Sequence, residues 1–194
     1  MGDKPSYLGT LNRIAVGEAG GERFLTAWAE VCERDDVRGI IETIALREGE
    51  HAKAFAKRMC ELGHAVRKHD DPRTVERMKI AVSTSLSDRE KFEKLGLIGL
   101  DGAKEILGRM FDDTTIDPQT GALIGRFIAE ERDSLRMFQR CYDALCAEEA
   151  AAGNGRSAGD GTGAGAMAAL EKRLDRIEVT VDKLTRALKR PRTK

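Results

Sequence analysis

The stretch "LREGEHAKAF", residues 46–55, sits in the middle of a long amphipathic pattern. Leu46, Ala52 and Phe55 suit a packed helix face, yet Glu48 and His51 stand one turn apart among them. Side chains three and four positions apart share one side of a helix. Either this side is not buried, or the interior needs an oxygen and a nitrogen ligand.

Working outward, the periodicity predicts helices from about Tyr7 to Glu33 and from about Asp36 to Leu62, the second ended by Gly63. A long connection follows, with a shorter helix near 72–84 opened by Pro72. A third main helix begins at Ser87, where Ser87 and Glu90 have capping-box spacing, and is expected to reach about Phe111. A fourth begins at "DPQTG", with Asp117 as N-cap and Pro118 in the first helical position, and is expected to run to about Ala147. Two helical hairpins joined by one long crossover form a known four-helix topology. The expected fold is therefore all-α, an antiparallel four-helix bundle over residues 1–148.

The polar interruptions recur. Helix two carries the stripe Val37, Ile41, Ile44, Glu48, His51, Phe55, Leu62, and helix four carries Ile124, Phe127, Glu131, Ser134, Phe138, Cys141, Leu145. Ile41 and Ile124, Glu48 and Glu131, His51 and Ser134, and Phe55 and Phe138 are each 83 positions apart (124 − 41 = 131 − 48 = 83). Adding the same offset to Glu18 and Glu22 of helix one gives Asp101 and Glu105 of helix three. The pattern reads as a duplicated helical hairpin.

In an antiparallel hairpin, residues equidistant from the loop lie side by side. That sets Glu18 level with the Glu48–His51 turn and Asp101 level with the Glu131–Ser134 turn, each pair of levels 30 residues apart (48 − 18 = 131 − 101 = 30). Glu22 and Glu105 lie one turn nearer the loops, as secondary or alternate ligands. Each unpaired charge buried in such a core costs several kcal/mol. A divalent metal removes that cost. One Glu from each of two helices, with Glu-x-x-His from the other two, is the di-iron or di-manganese carboxylate arrangement.

On Glu18, "E48-G-E-H51", Asp101 and "E131-R-D-S134", the chain resembles the ferritin-like superfamily, in particular its rubrerythrin-like branch, over roughly residues 5–148. The resemblance implies Glu18 and Asp101 as terminal carboxylates, Glu48 and Glu131 as bridging ones, and His51 on one metal. It implies iron as cofactor, with manganese as an alternative, and an oxidoreductase of ferroxidase or peroxidase type acting on ferrous iron, O2 or peroxide. Two departures weaken the second metal position. Ser134 stands where the family has a second histidine, and Asp101 is one methylene shorter than glutamate. That position would be weak, water-filled, or served by Asp133, Glu105 or Glu22. No CxxC module is present, so electrons would come from an external donor. The alternative is a bundle with a degenerate metal site, working as a non-catalytic oligomeric scaffold.

After the bundle, residues 149–166 are rich in Gly and Ala and read as a flexible linker. Met167, Leu170, Leu174, Ile177, Val181, Leu184 and Leu188 then step by three and four, a short coiled-coil helix over 167–189 followed by a basic tail at 190–194. Homo-oligomerisation through residues 167–188 is expected. Lys plus Arg and Asp plus Glu are equal at 33 each, which gives no electrostatic case for nucleic acid or an anionic membrane. No apolar run spans a bilayer and no apolar leader opens the chain, so the expected location is cytoplasmic. Cys32, Cys60, Cys141 and Cys146 read as inert thiols filling helix faces.

Overall fold

The hairpin formed by the first two helices is the frame for everything else. In the computed structural model, which describes residues 5–68, 72–99 and 113–157, α1 spans Leu8–Val31 and α2 spans Asp35–Glu61. The contacts Glu18–His51 near mid-helix and Arg38 to the Cys32 carbonyl at the turn show the two helices running antiparallel. Three further helices follow among the described residues: α3 Pro72–Ala81, α4 Asp88–Leu95 and α5 Pro118–Ser157. The described residues are all-α, with no strand. None of their helices is long and apolar enough to cross a membrane.

The helix ends follow local chemistry. Gly63 stops α2 at φ 80°, and the amides of Gly63 and His64 bond back to the carbonyls of Cys60 and Met59. Ser87 and Glu90 form the expected capping box on α4. Asp117 caps α5 by accepting from the amides of Gln119 and Thr120. The same carboxylate accepts from Tyr7 Oη and Arg58 Nη2, both at 2.8 Å, so it ties α5 to the start of α1 and the end of α2. The Thr120 hydroxyl and amide, with Arg58 and Tyr7, hold the Asp117 carboxyl well below the usual carboxylate range.

The third main helix differs from expectation. Rather than reaching Phe111, it stops at Leu95, where Gly96 takes the left-handed conformation (φ 65°), and Gly99 follows at φ 70°. Each glycine inside a helix costs about 1 kcal/mol relative to alanine, and "LGLIGLDG" offers three within seven positions. Asp101 and Glu105 lie outside the described residues, as do the stripe at 167–188 and the basic tail. The fourth helix is longer than expected: it passes Ala147 and ends at Ser157, so the first part of the expected linker is helical. Ala150–Ala152, the best helix formers, continue it. The chain divides into two compact units after Glu148.

Two apolar clusters make the core of the first unit. One joins Trp28 and Phe24 of α1, Ile41 and Ile44 of α2, Phe92 of α4, and Phe138 and Leu145 of α5. Phe92 sits edge-on to both Trp28 and Phe138, at 4.9 and 5.5 Å between ring centres. The Trp28 indole N–H donates to Asp88 at 2.8 Å, which fixes α4 on α1. The other cluster joins Leu8, Leu11 and Ala15 to Phe55 and Met59 and to Ile124, Phe127 and Ile128. Between the clusters lies a polar level made by residues 18–22, 48–51 and 130–134. Leu46, expected in the packed face, is instead 71% exposed. Cys32 and Cys141 are buried as expected, whereas Cys60 is exposed.

Candidate metal centre

His51 is the hub of the polar level. Its side chain is 4% exposed, and the Phe127 ring packs against it in a T-shaped arrangement with 5.0 Å between ring centres. Nδ1 lies 3.1 Å from Glu18 Oε2 on α1 and 3.5 Å from Glu131 Oε1 on α5. Glu18, His51 and Glu131 thus bring one ligand atom each to within 4.8 Å of one another, from three different helices. Ligands about 2.1 Å from a shared ion stand at most about 4.2 Å apart, so small side-chain movements would close the set around one cation.

Glu48, one turn before His51, reaches the same level from α2. Its carboxylate lies across the backbone of Gly21, where an added Cβ would come 2.9 Å from Glu48 Cδ. The mirror relation holds at the next residue of each helix: a Cβ on Gly49 would come 2.6 Å from Cδ of Glu22. Two glycines therefore open two cradles, each filled by a carboxylate from the opposite helix. Glu22 does not join the Glu18–His51–Glu131 set. It lines a surface groove of about 470 Å³ with Thr26, Glu30, Arg38, Glu42 and Leu46.

The electrostatics of the level show how crowded it is. Burial raises the Glu48 carboxyl to about 9, helped by the charges of Glu18 and Glu131. Burial also raises Glu18, against the opposing pull of His51. Burial disfavours the imidazolium of His51, but Glu131, Glu18 and Glu130 outweigh it and hold the ring proton up to about 10. Glu131 Oε1 is buried and makes no hydrogen bond, a costly condition for a carboxylate oxygen. A divalent cation fits this donor set: it would take the orphaned oxygen, replace the extra protons and neutralise the clustered acids.

Glu130 has no part in the sequence pattern yet touches the hub directly. Its Oε2 lies 2.7 Å from His51 Nε2, and Arg126 Nε donates to its Oε1 at 2.8 Å. Burial works against the Glu130 charge, but Arg126 and His51 overcome it and lower its carboxyl below the ordinary value. An imidazole that ligates through one nitrogen is oriented by what its other nitrogen touches. The adjacent acids "EE" at 130–131 were the only signal for this role.

Arg47 reaches the Ser134 turn, where the resemblance implies a second ligand set. Ser134 is buried, and Arg47 Nη1 donates to its hydroxyl at 3.3 Å and to Asp133 Oδ2 at 2.8 Å. Asp133, one of the candidates to replace the missing histidine, also pairs with Arg136. An arginine thus stands beside the serine, and the substitute acid is committed to two arginines.

No protein-family model matches this chain, and no curated protein or solved structure compared with it does.

Proposed function

We propose that this chain is a ferritin-like helical bundle of two related hairpins that holds a divalent metal, iron before manganese, between α1, α2 and α5. It would act there on ferrous iron, O2 or peroxide. The observation that carries this reading is the convergence of Glu18, His51 and Glu131 from three helices, with ligand atoms within 4.8 Å of one another. Nδ1 of His51 and the two carboxylates would bind the ion, with Glu48 beside them. Bound iron supplies the electron exchange with oxidant that no side chain of the set can perform. The protein's part is geometric and electrostatic. Phe127 packs against the imidazole, the two apolar clusters bound the level on either side, and Glu130 orients the ring. The acids of the groove at Glu22 raise the local cation concentration at the surface. Reducing equivalents would come from an external donor, the chain would work in the cytoplasm, and copies would associate through residues 167–188.

A second reading, a degenerate bundle serving as a scaffold, is favoured by one observation: Arg47 binds Ser134 and Asp133 where the resemblance calls for a second ligand set. Metal per chain separates the two readings. The full chain, purified without chelators, is expected to hold about one ion, and His51→Ala to hold none. Under air, added Fe(II) should be oxidised faster by the parent than by His51→Ala. A parent with no metal above the buffer level and no affinity for added Fe(II) rejects the first reading and leaves the scaffold.

A further inference from the structure

On the side of α1 roughly opposite Glu18 there is a second concave site. With 3.6 residues per turn, Arg13, Val16, Gly17, Gly20 and Phe24 share that side, and α3 covers it with Arg73, Thr74 and Arg77. Arg23 completes a ring of four arginines, and no Asp or Glu is among the described residues lining the cavity. The chain as a whole is charge-balanced, so among the described residues Arg13, Arg23 and Arg77 make a local surplus of positive charge that is not a reflection of composition.

Three of the arginines are held in place by contacts that leave their charge uncompensated. Arg13 donates to the Thr10 hydroxyl at 2.9 Å, Arg23 donates to the Ala19 carbonyl at 3.2 Å, and Arg77 lies over the Phe24 ring at 5.7 Å. The floor is made by Gly17 and Gly20, and a Cβ added at either would meet nothing within 4 Å. Glycine in mid-helix costs about 1 kcal/mol, and here it leaves open space beneath a cationic rim. The first turn of α3 supplies the Thr74 hydroxyl and the positive end of the helix dipole at the same rim.

We infer that this α1–α3 pocket binds a small phosphate anion of two or more charges, of orthophosphate to pyrophosphate size. Guanidinium forks match phosphate oxygens two at a time, and several of them answer a multiply charged anion better than a single carboxylate. The volume, about 190 Å³, is below the roughly 300 Å³ at which sites for drug-sized ligands begin. A whole nucleotide is therefore too large. The pocket is separate from the metal centre and does not depend on it.

The test uses the full chain and pyrophosphate, followed by calorimetry and phosphorus NMR at physiological salt. Saturable one-to-one binding is expected, weakened about tenfold or more by Arg23→Ala, since a charge-assisted hydrogen bond is lost. Gly20→Leu keeps every charge and fills the floor, so it should abolish binding while circular dichroism shows unchanged helicity. Should that variant lose helicity, Arg23→Ala decides alone. Absence of saturable binding, equal binding by both variants and the parent, or tighter binding of citrate than of pyrophosphate would each overturn the inference.

Discussion

His51 Nε2 lies 2.7 Å from Glu130 Oε2, on the opposite ring edge from the carboxylates of Glu18 and Glu131. The imidazole is thereby held between one acid that can only orient it and two that can share an ion with it. Arg126 anchors the orienting acid from one turn earlier on α5.

Removing the orienting acid should loosen the ligand without deleting it. Glu130→Ala is expected to bind zinc about 10- to 100-fold more weakly than the parent, the usual effect of losing a partner that orients a ligating histidine. Chelator competition measures it. Equal affinities would show that Phe127 and packing alone set the ring.

The glycine cradles make a prediction that runs against helix propensity. At Gly39, where a Cβ meets nothing within 4 Å, alanine should stabilise α2 by about 1 kcal/mol. At Gly21 the same substitution puts a methyl group where the Glu48 carboxylate lies. Gly21→Ala should therefore displace Glu48 and weaken zinc binding, with little or no gain in thermal midpoint. Zinc affinity unchanged in Gly21→Ala would remove Glu48 from the ligand set.

The metal-free protein should lose stability as pH rises. Glu48 titrates near 4.5 in the unfolded chain and about 9 in the fold, and His51 moves from 6.5 to about 10. Both folded values are raised, so the native state holds more protons than the unfolded chain between those limits, and stability falls across them. The thermal midpoint of the metal-free chain should decline from about pH 6 to about pH 9, and zinc should flatten or reverse the slope by displacing the protons. Glu48→Gln removes one of the two contributions, so its midpoint should exceed the parent's near the alkaline end. A midpoint that stays level for the metal-free parent counts against the buried cluster.

Arg47 bears on metal stoichiometry. Its guanidinium, 3.3 Å from the Ser134 hydroxyl, is a fixed positive charge that repels a second divalent ion. Ser134→His alone should leave bound iron per chain unchanged, whereas Ser134→His with Arg47→Leu should raise it, because an imidazole is gained and the cation is gone. An increase with the single substitution would mean that Arg47 swings aside at no cost.

The sequence by itself determined the helical class, the ends of α2 and the starts of α4 and α5, because these depend on short-range chemistry: Gly63, the Ser87–Glu90 box, and Asp117 before Pro118. It also singled out Glu18, Glu48, His51 and Glu131, since acids and an imidazole inside an apolar stripe break a period that can be read along one helix. It did not locate the end of the third helix, which stops at Leu95 where Gly96 turns left-handed and not near Phe111. Tertiary structure decided which groups meet. Glu130 reaches His51, Arg47 reaches Ser134, and Gly21 and Gly49 admit carboxylates from the facing helix. Those relations depend on the rotation and separation of neighbouring helices. The packing of Phe92, Trp28, Phe127 and Phe138 sets both, and no single helix's periodicity encodes them.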